Sequence, residues 1–193
     1  MKKAMFNDEV GLTDAVLART KTMTRRVIPS KIIHKHGINR HTFEAKKQAL
    51  IDDSPWKVGE ILAVAQPYSR ILNWRDPAPR ELAESAGYNN KMFVKPELMP
   101  AQIRITGIRA ERLQDITEAD CLREGIEYEA GRVAPYGFYG RAYITGQGTM
   151  KQSSSWFSTP QNAFRKLIGK VCGAGTWDEN PYVYVYEFEL IRR

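Results

Sequence analysis

Arg19-Thr20-Lys21-Thr22-Met23-Thr24-Arg25-Arg26 is the stretch that weighs most in this chain. Four of these eight residues are cations, three are hydroxyls, and Met23 alone is apolar. The stretch lacks the apolar periodicity of a buried helix or strand. It also lacks the Gly, Pro, Asn and Asp of a plain turn. A helix is expected just before it, from Asp8 to Ala18, with Asp8 and Glu9 in the first turn, and helix C-termini carry unpaired carbonyls that attract cations. Two readings follow: a helix stop leading into a solvated basic strand, or an anion-binding or catalytic patch. On a regular strand Lys21 and Thr24 project to opposite faces, so a joint role requires broken strand geometry between them.

The 193 residues fit one domain, residues 1–193, with long insertions. The net charge of +7 favours a polyanionic or phosphate-bearing partner. No apolar run is long enough to span a bilayer. The N-terminus, Met1-Lys2-Lys3-Ala4-Met5-Phe6-Asn7-Asp8-Glu9, offers no apolar stretch to a signal sequence, so a cytoplasmic location without a membrane partner is expected. Cys121 and Cys172 are too few for a disulfide framework or a zinc site, and each is expected as a small buried residue. His34, His36 and His41 lack carboxylate or thiolate partners at fixed spacing, so neither a metal nor another cofactor is expected.

Along the chain, Lys3 to Phe6 is expected to form a first strand. The Lys- and His-rich segment after Pro29 reads as a solvated loop, with a short helix over 41–51. Gly59 opens a strand carrying Ile61, Leu62 and Val64, which Pro67 stops. Residues 67–100 read as a long insertion, with a helix at Arg80–Ala86 and a strand at Met92–Lys95. From Ala101 to Leu113 apolar residues alternate, but the phase slips at Gly107, as at a bulge. Thr117 caps a short helix that ends at Gly125. Residues 127–158, rich in Gly, Tyr and Ser, read as a surface loop. Thr159-Pro160 opens a helix whose apolar face is Ala163, Phe164, Leu167, Ile168 and Val171. Tyr182 to Leu190 is apolar on both parities, as in a strand buried on both faces. The fold class expected is α+β, a small, partly open mixed β-barrel with two to three flanking helices, with a two-layer α/β sandwich as the alternative.

Glu124 stands out because a carboxylate beside Gly125 faces the negative end of its helix. Either it is exposed, or it turns into a site and pairs with a distant cation. Lys21 is the candidate.

The stretch Thr20-Lys21-Thr22-Met23-Thr24-Arg25-Arg26, the entry Lys57-Val58-Gly59-Glu60-Ile61-Leu62-Ala63-Val64, and the run from Ile103-Arg104-Ile105 through Arg112-Leu113-Gln114-Asp115-Ile116-Thr117-Glu118 together resemble the ASCH domain of the PUA-like superfamily. Gly175-Thr176-Trp177-Asp178-Glu179-Asn180-Pro181 and the strand after it resemble its phage and prophage version. Segments of about 29–55, 67–95 and 127–158 fall outside the shared core. The resemblance implies a PUA-like barrel with a cleft for RNA or a modified nucleoside. It also implies, from an amidohydrolase of the family that deacetylates N4-acetylcytidine, a catalytic set of Lys21, Thr24 and Glu124. Where many phage-type relatives carry an acid just after the strand that holds Val64, this chain has Ala65-Gln66-Pro67.

Three functions are therefore expected in turn. The first is a reader of RNA, a modified nucleoside or a nucleotide. Arg19, Thr22, Arg25, Arg26 and Gln66 would make contacts, and Tyr68, Trp74 or Tyr88 would stack on a base. The second is an amidohydrolase with Thr24 as nucleophile, Lys21 as base and Glu124 orienting it. The third is a phage structural or interaction protein that has lost the site, in which Lys21 and Glu124 lie far apart and exposed.

Overall fold

The computed structural model describes residues 1–72, 79–131, 133–144 and 150–192, with side chains for all of these but 139–144, 150–155 and 192. Its strands are β1 (Lys2–Ala4), β2 (Met23–Val27), β3 (Ile61–Val64), β4 (Ala101–Arg112), β5 (Glu127–Tyr128), β6 (Tyr136–Ile144), β7 (Met150–Phe157) and β8 (Tyr182–Arg192). The helices are α1 (Leu12–Leu17), α2 (Ser30–Lys35), α3 (Phe43–Asp52), α4 (Tyr68–Ile71), α5 (Arg80–Ala83), α6 (Glu118–Arg123), α7 (Pro160–Cys172) and α8 (Thr176–Glu179). None is long and apolar enough to cross a membrane among the described residues.

A mixed sheet runs in the order β1-β3-β4-β8-β2, with β1 parallel to β3 and the other neighbours antiparallel. β8 lies inside it because it is apolar on both parities. Val183, Tyr184, Val185 and Tyr186 are all buried, each pair facing a different layer. The fold is α+β. Its described pairings leave β1 and β2 as edges, so the expected ring of strands is not closed by a ladder among the described residues.

The bulge lies where the apolar phase slips. Ile105 pairs with Phe188 and Gly107 with Glu187, which leaves Thr106 as the extra residue. Past it, Ala110 stays in the core while Arg109 and Glu111 take the face that also carries Glu187. In β2 the same face holds Met23 and Arg25, and Thr24 and Arg26 take the other, opposite Tyr186 and Tyr184.

Several expectations are corrected. Helix α1 starts at Leu12 rather than Asp8. The Asn7 side chain accepts from Glu9 and Val10 N–H, and Gly11 at φ 72 redirects the chain. Asp8 is therefore no first-turn residue but pairs with Lys91 at 2.8 Å. The segment after Pro29 is helical in α2 rather than a loop. The strand expected at Met92–Lys95 is a 3-10 turn at Lys91–Phe93, capped by the Asn90 side chain. Residues 127–158 are not a plain loop, since β5, β6 and β7 form a second, antiparallel sheet. Cys172 and Val171 are exposed at the end of α7, and only Cys121 is buried.

Candidate functional site

After α1, Arg19 at φ 64 turns the chain, and the N–H groups of Thr20 and Lys21 both donate to Ala15 O at 3.0 Å. Thr22 then donates to Arg123 O at 2.9 Å and accepts from Phe188 N–H at 3.0 Å, which pins the segment between α6 and β8. This irregular turn aims Lys21 inward, where its side chain is 1 % exposed. Lys21 Nζ donates to Glu124 Oε2 at 2.6 Å and to Glu124 O at 2.7 Å. The second contact uses a helix-end carbonyl that the helix itself leaves free. Burial pulls the Lys21 pKa down from the ordinary lysine range, the nearby Arg26 and Arg25 add to this, and Glu124 works against it.

Glu124 is shared. Its Oε1 accepts from Arg25 Nη1 at 3.1 Å. Arg25 also reaches Glu111 and Asp120, each at 2.7 Å. Arg109 bridges Asp120, Glu111 at 2.9 Å and Glu187 at 2.8 Å, and Arg123 meets Glu187 at 3.0 Å. Lys21, Arg25, Arg109 and Arg123 thus face Glu111, Asp120, Glu124 and Glu187, four charges of each sign. Buried charges need such pairing. Burial opposes the Arg25 charge, but Glu124, Asp120 and Glu111 outweigh it and hold its pKa above the ordinary arginine value.

Arg26 differs. It sits on the other face of β2, donates from Nη2 to Met5 O at 2.8 Å, and lays its guanidinium carbon 4.6 Å from the centroid of the Trp56 ring. No carboxylate lies within ion-pair distance among the described residues, and its Nε is buried without a hydrogen-bond partner there. Burial depresses its pKa from the ordinary arginine range, against opposing pulls from Tyr186, Glu124 and Cys172.

Arg26 lines a cavity of about 650 Å³ between the two sheet edges. Met5, Phe6 and Asn7, which follow β1, form one wall, and Thr24 to Val27 form the other. The end of α7, with Cys172, and α8, with Glu179, complete it. Thr24 is 7 % exposed, and its hydroxyl has no hydrogen-bond partner among the described residues.

Of the residues singled out in the sequence, Lys21 and Glu124 are in contact, and Thr24, Arg25 and Arg26 line the cavity. Arg19 is exposed, and Thr22 is half-buried with its hydroxyl on Arg123. Gln66 and Tyr68 do not line the cavity. Gln66 is buried with its N–H on the Met99 sulfur. Tyr68 belongs to a small core with Ala63, Ala65, Val94 and Met99, where its hydroxyl accepts from Lys95 N–H at 2.8 Å. Its ring is therefore not a free stacking surface. Tyr88 packs on the same core, and Trp74 lies outside the described residues. Trp56 and two of the three carboxylates around Arg25, Glu111 and Asp120, were missed. The slip at Gly107 was the signal for Glu111 and Arg109, since it assigns both to one face.

No family model matches the chain. No curated protein matches it either. Among solved structures, the chain is similar to the ASCH domain from Lactobacillus crispatus JV V101, with 12% identity and a TM-score of 0.41, over 100% of this chain and 81% of that one.

Proposed function

We propose that the chain is an ASCH-type domain that holds RNA or a modified nucleoside in the cavity between β2 and the Met5–Asn7 segment. In this reading the curled sheet is a PUA-like barrel whose two edges face each other across the ligand site. The observation that carries it is the cavity wall. Arg26, backed by Trp56, offers a planar cation to a base, and the unpaired Thr24 hydroxyl offers a hydrogen bond beside it. The volume suits a small molecule or a single flipped nucleotide. Titration calorimetry with N4-acetylcytidine, cytidine and single-stranded RNA tests it. Saturable binding of at least one, lost in Thr24→Tyr, is expected. No saturation with any of the three would remove the reading.

The contact between Lys21 and Glu124 favours a second reading, the amidohydrolase. Thr24 Oγ1 would attack the acyl carbonyl and pass its proton to the leaving amine, by way of Lys21 only if the Lys21 Nζ, which is not part of the cavity lining, reaches the Thr24 face of β2. Water would then cleave the threonyl ester and release the acid. Burial favours the neutral lysine that this step needs, and Glu124 orients it. Arg25 is occupied by three carboxylates, so Arg26 is the cation free to meet the oxyanion. Turnover of N4-acetylcytidine by the native chain, lost in Lys21→Ala and Thr24→Val, is the expected result. Equal or absent turnover in all three would exclude that substrate. A structural protein that has lost its site is disfavoured, because Lys21 and Glu124 are buried together rather than apart and exposed.

A further inference from the structure

Of the three buried or half-buried cations in the opening stretch, Lys21 and Arg25 have carboxylates within 4.0 Å, and Arg26 has none among the described residues. A guanidinium cannot shed its proton to escape burial. The Trp56 ring and the Met5 carbonyl offset part of the cost, but neither carries a negative charge. Glu179 lines the same cavity, yet it is exposed to solvent and makes no ion pair with Arg26. The neighbouring charges cancel four against four, which leaves Arg26 as the uncompensated cation of the cavity wall.

We infer that the ligand of this cavity meets Arg26 through an oxyanion, so that the site takes the phosphate of a nucleotide or of an RNA strand in preference to an uncharged nucleoside. The nucleobase part rests on the function proposed above, and the anion part stands apart from it. A guanidinium receives phosphate oxygens through its N–H groups; at Arg26 the Nη2 group is held by the Met5 carbonyl and Nε is buried, which leaves Nη1, without a hydrogen-bond partner among the described residues, for the ligand.

Cys172 supplies the readout. It is exposed and lines the cavity, whereas Cys121 is fully buried, so iodoacetamide alkylation of the folded chain reports occupancy at Cys172. Cytidine, cytidine 5′-monophosphate, a short oligocytidylate and inorganic phosphate are compared as protectants. The monophosphate is expected to protect at a concentration about tenfold or more below cytidine, as a charge-assisted contact implies. Arg26→Gln is expected to remove that gap, so that the monophosphate protects no better than cytidine does in the same variant. An oligocytidylate that outdoes the monophosphate identifies an RNA strand as the source, and equality identifies a free nucleotide. Protection by inorganic phosphate without any nucleoside effect keeps the anion site and removes the nucleobase reading. Equal protection by cytidine and its monophosphate, a gap that survives in Arg26→Gln, or no protection by any probe would overturn the inference. Should Arg26→Gln not fold, salt decides in the native chain. The gap narrows as salt rises if charge creates it, and a gap indifferent to salt would overturn the inference.

Discussion

Lys21 Nζ and Glu124 Oε2 lie 2.6 Å apart across a sequence separation of 103 residues. Both side chains are almost fully buried, so the pair is held in a medium where neither charge tolerates being alone. Glu124→Leu leaves Lys21 facing Arg25 with only a carbonyl for company, and a loss of roughly 3–5 kcal/mol is expected. Lys21→Met combined with Glu124→Leu should be less harmful than Glu124→Leu alone, because the stranded charge is gone. Urea denaturation at neutral pH measures both. A double variant that loses the sum of the single effects would show that the two residues are not coupled.

The depressed Lys21 pKa makes a signed prediction about pH. Between its folded pKa and the unbound value of 10.5, the unfolded chain holds more protons than the folded one. Stability contributed at this site therefore rises with pH across that window. The native chain should gain on Lys21→Met as pH climbs toward 10.5. The comparison isolates Lys21 from Tyr184, whose pKa burial pushes up to about 12 and whose contribution is lost as pH rises from 10 through 12. Urea titrations at several alkaline pH values settle the sign, and a gap that shrinks would contradict it.

The two thiols should behave as different species. Burial within α6 pushes Cys121 up to about 12, whereas Cys172, although partial burial raises it too, is exposed at the cavity. One thiol is expected to react with Ellman's reagent in the folded chain at pH near 8, and both in urea. Two fast thiols in the folded chain would mean that α6 does not stay packed.

Local chemistry was legible in the sequence and, the Lys21–Glu124 contact apart, long-range pairing was not. Thr159-Pro160 and the 3.6-residue spacing after it mark α7 without knowledge of any other segment. The parity slip at Gly107 marks the bulge for the same reason. Glu124 was conspicuous because its charge opposes its own helix end. The three carboxylates on Arg25 come from β4 and α6, and nothing near Arg25 in the chain announces them. The stretch therefore looked more basic in sequence than it is in space. Residues 127–158 read as a loop because β5, β6 and β7 draw their stability from pairing with one another rather than from apolar periodicity. Tyr68 looked like a stacking ring because sequence does not show that Val94 and Met99 pack over it.

Thr117 tests how α6 presents its carboxylates. Its side chain accepts from Asp120 N–H at 3.2 Å, and Asp120 in turn holds Arg25 and Arg109. Thr117→Ala should cost about 1 kcal/mol as a lost cap, and Thr117→Ser should recover most of it. A loss well above that would mean that the cap also sets the position of Asp120 in the ion network.

Gly125 tests whether the end of that helix places Glu124 against Lys21. It adopts φ +98, and a Cβ added there would meet Leu12 at 3.4 Å and Ala15 and Lys21 at 3.6 Å. Those are ordinary contacts, so space is not the obstacle and the backbone is. Gly125→Ala is expected to cost roughly 1–2 kcal/mol from the unfavourable φ alone. Gly125→Asn should cost less, since asparagine visits positive φ more readily. If the chain relieves the strain by unwinding the end of α6, Glu124 leaves a lysine that stays buried, the Lys21 pKa falls further, and the rise in stability toward pH 10.5 begins at a lower pH and is larger in the variant. If the turn instead holds its shape under strain, that rise persists at a uniformly lower stability. Urea midpoints across the alkaline range separate the two, because only the first outcome changes the slope with pH as well as the level.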